Sequence, residues 1–444
     1  MTGTKFHIFD SQQTASLIFG KSREFVFEPI LASMMENGMN LPMEDRPKFQ
    51  VPLGPQDRES SNEHLSKSFV SVNHSIWLKY LTGDPLDNIM EKYVEHFEEE
   101  LNCLPIISGS EWTTLDLHEL MRKVIFEASV KTFFGLRLST YWSDMWEDWK
   151  KFNDATYAGV RSNMAYYFQS GAYAARKRML EAFEKWLEQQ DGSWSPTNNI
   201  WDSSWGLKMN WERDVLARRY KFSQRGRACL QASFLFVIVT NSAPMATWFL
   251  KNVLDSPSRL QRFRSETRSM LSVAGTSPNI SLKVDFPALR SSQFIQGLWK
   301  ESLRLGSASA AARVVRKNTT LEGYRIKQGS VVLLPVQLMH SNPEAFLEPQ
   351  LFDPDRWVFD QDDKLQLEVH KRRNLNLRSF GGGAGLCSGR FVAEQEILSI
   401  GAAMLLLFDI DIETPAGFQL NPRSIGIMGP MKAVRARIRR RKQE

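Results

Sequence analysis

Residues 380–393 read Phe-Gly-Gly-Gly-Ala-Gly-Leu-Cys-Ser-Gly-Arg-Phe-Val-Ala, a lone cysteine between a glycine-rich loop and the start of an apolar helix. Backbone N–H groups and the positive end of that helix would point at the sulfur of Cys387, stabilising a thiolate and lowering its pKa. Glycines at 381, 383 and 389 let the backbone approach a flat group closely, and Phe380 offers a ring to pack beneath it. A thiolate so held suits axial ligation of haem iron, to which it donates electron density. A solitary buried cysteine beside a plain turn is the competing reading, and the cysteine alone does not separate the two.

Other residues of chemical interest stand in the preceding 150 positions. Glu301 and Arg304, three apart, share one helix face. Arg313 opens a strand-like run, where a single arginine is ordinarily a surface charge. Asn241 sits in Thr240-Asn-Ser-Ala243-Pro244, where a proline inside a helical run distorts the turn and frees a carbonyl. The Asn241 amide either orients a bound oxygen or water, or makes an ordinary helix hydrogen bond.

The elements that position these residues are mostly helical. Apolar positions repeat at helical spacing from Glu119 to Phe134 with Asp116 as a start signal, again over 172–189, from about Ser292 to Leu305, and from Phe391 to Leu407. Trp142, Trp146 and Trp149 fall at i, i+4 and i+7, which predicts one buried helix face. Residues 190–211, rich in Gly, Ser, Pro, Asn and Trp, read as a long surface loop. Short strands are expected at Arg313-Val-Val and Ser330-Val-Val-Leu-Leu, with turns at Gly323 and Gly329. The fold class is mainly α with a small β portion, without a clean domain linker.

The chain has 444 residues, 42% hydrophobic and 24% charged, so it can bury a large pocket. Its net charge of +6 lies mostly in the last ten residues, from Arg435 onward, and so small a surplus does not make a nucleic-acid binder. Three scattered cysteines exclude a disulfide framework and a cysteine-rich zinc module. The first twenty residues are too polar for a signal peptide or span, and Phe234–Val239 is too short for one.

The pattern Phe-x-x-Gly-x-x-x-Cys-x-Gly running to Ala393 resembles the cysteine-ligand loop of the cytochrome P450 family. Glu301-x-x-Arg304 resembles its Glu-x-x-Arg, Phe352-Asp-Pro-Asp-Arg356-Trp its Pro-x-Arg-aromatic segment, and Gln337–Pro343 its post-strand turn. The resemblance runs from about Phe6 to Arg437 and implies the P450 fold, a single haem domain over 1–444. It makes Cys387 the ligand of haem b, with Phe380, Gly381, Gly383, Gly389 and Ala393 in the cofactor cradle. Arg313 is then a propionate partner, and Glu301, Arg304 and Arg356 form a structural triad.

Three departures from the family pattern matter. Ala243 and Pro244 stand where most members carry an acid and a threonine. This resembles the subgroup of cholesterol 7-alpha-hydroxylase, sterol 12-alpha-hydroxylase and prostacyclin synthase. Gly385 replaces an Arg or His that commonly serves a propionate, and Trp77 is followed by Leu81 rather than Arg, leaving His74 or Lys79 as substitutes. The resemblance implies a monooxygenase acting on a bulky apolar sterol, terpenoid or lipid, with Asn241, Ala243, Pro244, Ala310, Ala311 and Ile425 around the substrate. Ala243-Pro244 keeps a second mechanism open, a redox-neutral isomerase or dehydratase, or a peroxide-using enzyme. Electrons for the first would come from NADPH through a P450-reductase-type flavoprotein, docked at Lys371–Arg373, Arg378 and Arg390 unless that run is simply solvated. The resemblance implies the cytoplasmic face of the endoplasmic reticulum. The sequence as given begins without an anchor, which reads either as a shortened chain or as a soluble form, and the cationic tail adds weak peripheral attraction to an anionic membrane.

Overall fold

The computed structural model describes residues 4–49, 68–169, 171–190, 194, 199–276, 279–413, 420–421 and 423–441. Helices dominate, with small sheets among the described residues. The chain forms two compact units, Met1–Phe27 with Phe97–Val124 and Asn241–Glu444, and Glu28–His96 with Ile125–Thr240.

In the first unit the strand Val331–Pro335 is the hub of a four-stranded sheet. It pairs in parallel with Phe6–Ile8 and antiparallel with Ala310–Val315, which in turn pairs with Phe25–Val26. Its side chains alternate, and the inward Val332 and Leu334 pack with Ala15, Ile18 and Phe19 of the helix Gln12–Gly20. That register sets Arg313 opposite Val332. Ser292 caps the helix Gln293–Gly306 by accepting the Ile295 N–H at 3.2 Å. Gly297 lets that helix approach the Pro354–Trp357 turn, since a Cβ there would overlap the Pro354 carbonyl.

The C-terminal basic run is a strand, Arg435–Arg440, between Phe408–Ile412 and Thr113–Asp116. Arg437 pairs with Asp411, and Arg439 and Arg441 pair with Asp409, so neighbours answer much of the positive charge expected to face a membrane. Lys442 and Glu444 lie outside the described residues.

In the second unit two expectations change. Trp149 is buried and stacks on Phe126 at 5.4 Å, but Trp142 precedes the helix Met145–Gly159 and donates its indole N–H to Asp148 at 3.0 Å. The three tryptophans therefore do not share one helix face. Within 190–211, Trp201–Asp202 pairs with Gly206–Leu207, and the helix Lys208–Arg219 already begins. Trp205 is buried against Trp186, and Trp201 donates to the Thr132 carbonyl at 2.9 Å. Aromatic anchors make a fixed hairpin of the described part, while 191–193 and 195–198 lie outside it.

Residues Gln224–Leu254 are long and apolar enough to cross a membrane by length and composition. However, 67% of the most apolar window is buried inside the protein, as in a core helix. Two helices, Gln224–Val239 and Ser242–Leu254, carry the run, parted at Thr240-Asn241. Pro244 has no N–H to close a turn, which accounts for the break.

Candidate functional site

The Cys387 loop is closed by the Cys387 N–H donating to the Phe380 carbonyl at 3.1 Å. Gly381 and Gly383 adopt φ of 75° and 65°, and Gly383–Gly385 forms one tight turn. At 382 and 383 glycine is required by a protein neighbour, because a Cβ would overlap the Phe19 ring and the Phe19 carbonyl. At 381 and 389 a Cβ would make only ordinary contacts, the latter at 3.9 Å from the Cys387 sulfur. The helix Arg390–Leu407 follows, its first turn closed by the Ala393 N–H on the Gly389 carbonyl at 2.9 Å.

Cys387 is exposed to solvent, yet neighbouring protein desolvates its thiol. Burial pushes the thiol pKa up, outweighing the Gly389 N–H and the Arg390 charge that pull it down. The expectation of a lowered pKa from the helix start is thus reversed. A metal on the sulfur removes the proton and inverts that balance.

Arg313 lies against this loop. It is 8% exposed, donates to the Ala312 carbonyl at 2.8 Å and the Gly382 carbonyl at 3.3 Å, and sits over Phe19 and Phe27. A Cβ on Gly385 would stand 3.0 Å from its guanidinium. The Arg313 side chain thus occupies the space of the basic residue missing at 385. In the second unit Lys79 is engaged by Glu212 at 2.6 Å, Leu81 is buried, and the Trp77 indole N–H is buried without an acceptor among the described residues.

Below the loop, Arg304 grips Glu301 through two bonds of 2.9 and 2.7 Å, and Arg356 reaches the same carboxylate at 2.9 Å. The Trp357 indole adds a fourth bond at 2.9 Å, and all three ions are buried. Arg373 turns inward to the carbonyls of Arg356 and Ala345, Lys371 pairs with Glu368, and Arg378 reaches Ser16. The basic run therefore presents Lys371 and Arg372 rather than five free cations.

At the helix break, the Asn241 amide oxygen accepts the Ile427 N–H at 2.9 Å, and a Cβ on Gly426 would overlap it. Asn241 thus holds the Ser424–Met428 turn, which is also bonded to Gly306 and Ala308. Its amide nitrogen makes no hydrogen bond with the described residues. Of the expected pocket residues, Asn241, Ala311 and Ile425 are half-buried and Ala310 is exposed. Ala243 and Pro244 are buried.

Sequence reasoning missed Glu396. Buried in the helix after Cys387, it accepts from the Ser242 hydroxyl at 2.6 Å. An acid inside the apolar run 391–407 was the available signal.

The donor set fits a haem. Among the described residues no three His, Cys, Asp or Glu side chains gather to hold a metal ion. Cys387 offers a lone sulfur ligand, and Arg313 beside the loop suits the carboxylates that a haem carries.

Comparison with known proteins agrees. Residues 72–432 match the sequence profile of the family Cytochrome P450. The cytochrome P450 monooxygenase efuG of Hormonema carpetanum is 25% identical over 411 residues, covering 83% of this chain and 72% of its own. Cholesterol 7-alpha-monooxygenase of Cricetulus griseus is 25% identical over 360 residues, covering 77% and 69%. Among solved structures, the P450DA haem domain superposes with a TM-score of 0.70 at 14% identity over 100% of this chain and 89% of its own. The retinoic acid-bound cyanobacterial CYP120A1 gives 0.70 at 15%, over 99% and 90%. The fold is theirs, and the chain belongs to the cytochrome P450 family.

Proposed function

We propose that this P450-family oxidoreductase inserts one atom of dioxygen into a bulky apolar substrate of sterol, terpenoid or lipid type, working as a single haem domain. Cys387 would ligate the haem iron, Arg313 would hold a propionate, and NADPH would supply electrons through a flavoprotein reductase at the cytoplasmic face of the endoplasmic reticulum. The observation that carries this reading is the accessible Cys387 sulfur on a closed loop, with the Arg313 guanidinium against the same loop. The cholesterol 7-alpha-monooxygenase similarity favours a sterol-sized substrate.

The haem supplies oxygen activation when bound. The chain's part is to hold the ligand loop, neutralise carboxylates and supply protons. Where the family usually places an acid and an alcohol, Ser242 Oγ and Glu396 Oε2 make the available buried pair, able to hold a proton beside the break. Asn241 keeps its amide nitrogen for a ligand while its oxygen anchors the Ile427 turn.

Ala243-Pro244 favours a second reading, a redox-neutral isomerase or dehydratase, or a peroxide-using enzyme, needing no reductase. A spin-state titration against sterols, terpenoids and lipid peroxides identifies a substrate class. Turnover of that ligand strictly dependent on NADPH and reductase supports the monooxygenase, and turnover without them supports the alternative.

A further inference from the structure

His340 closes the short helix Val336–His340 and is 1% exposed. Its Nδ1 faces the Arg304 carbonyl oxygen at 2.9 Å, and its Nε2 faces the Arg378 N–H at 3.0 Å. Only a neutral ring protonated on Nδ1 satisfies both, since the carbonyl cannot donate and the amide cannot accept. Arg304 returns a bond from its guanidinium to the His340 carbonyl at 3.0 Å. The two residues are therefore locked together on the Glu301 side.

On the other side lies the entrance to the ligand loop. The Arg378 carbonyl accepts the Gly381 N–H at 2.9 Å, and Phe380, two residues on, accepts the Cys387 N–H. The peptide at Arg378 is thus held at its N–H by His340 and at its C=O by the loop. Glu301, Arg304, His340, Arg378 and Phe380 form one continuous series of ionic, hydrogen and covalent bonds ending at Cys387.

We propose that His340 is a positioning residue for the cysteine ligand: it ties the buried ion cluster to the segment entering the Cys387 loop and so sets how the thiolate is presented to iron. The assignment rests on Cys387 being that ligand. Without the Nε2 acceptor the Arg378 N–H is left unsatisfied, and the 378–380 segment loses the bond that fixes its height above the cluster. Partners one step removed from a metal ligand act in this way, orienting the ligand without touching the metal.

Two variants cut the link selectively. His340→Asn keeps a donor near the Nδ1 position but cannot reach Arg378, whereas His340→Gln can present its oxygen to that N–H. Both holoproteins are compared with wild type by the thiolate-type fraction of the ferrous carbon monoxide spectrum, by haem transfer to apomyoglobin, and by apoprotein melting. We expect H340N to lose thiolate-type signal and release haem about tenfold faster, with H340Q close to wild type. Equal spectra and release rates in the two variants, whatever their melting temperatures, would overturn the proposal. Cys387→Ala is the separate control. Retention of a wild-type spectrum there defeats the ligand assignment itself, while its loss alongside identical H340N and H340Q defeats only the role of His340.

Discussion

Single residues carry the chemistry because each has few partners to share it with. Cys387 is the sole thiol of the loop, so Cys387→Ala should abolish haem retention and the Soret band while the apoprotein still folds, as circular dichroism would show. Glu301 accepts from two arginines and a tryptophan in a buried site. Glu301→Gln leaves those cations uncompensated and should cost about 3–5 kcal/mol, read by denaturant unfolding of the apoprotein. Burial lowers the His340 pKa to about 4, outweighing the hydrogen bond to the Arg304 carbonyl that raises it, so the folded protein keeps this ring neutral. An unfolded His titrates near 6.5, so the neutral ring's contribution is complete above that value. It declines as pH falls towards about 4, by up to about 3 kcal/mol. Apoprotein unfolding midpoints between pH 7 and 4 check the slope, which His340→Gln should reduce.

Elements matter where two backbones must meet or a helix must open. Pro244→Ala restores an N–H at the break, and we expect a gain of about 1–2 kcal/mol in apoprotein stability with a loss of turnover. Unfolding and rate measurements on one preparation test both halves. The elements most legible in the sequence announce themselves locally: Asp116 accepts the His118 and Glu119 N–H groups, Ser292 caps the Gln293–Gly306 helix, and Pro244 marks the break. The cluster of Glu301, Arg304 and Arg356 is likewise readable from the resemblance. What stayed hidden depends on distant partners. The 201–207 hairpin needs Thr132 and Trp186 to fix its tryptophans, Gly382 needs Phe19, and Glu396 needs Ser242 from a helix more than 150 residues away. The pKa of Cys387 was misjudged because a helix start is visible in sequence and desolvation is not.

At the scale of the whole molecule, charge and redox logic decide how the site is fed. On the proposed monooxygenase reading, with Arg373 and Arg378 engaged internally, docking of an acidic reductase falls to Arg372 and to Lys371, itself paired with Glu368. Arg372→Glu should slow association severalfold at low salt, an effect that fades as ionic strength rises. Stopped-flow reduction at two salt concentrations measures it. The central claim is that electrons and dioxygen, rather than rearrangement alone, make the product. The most direct measurement gives the holoenzyme an apolar ligand that shifts its spin state, with NADPH, reductase and oxygen-18 gas, and follows the label by mass spectrometry. The account predicts one labelled oxygen atom in the product and no turnover when NADPH is withheld; turnover without reductase that leaves the product unlabelled would contradict it.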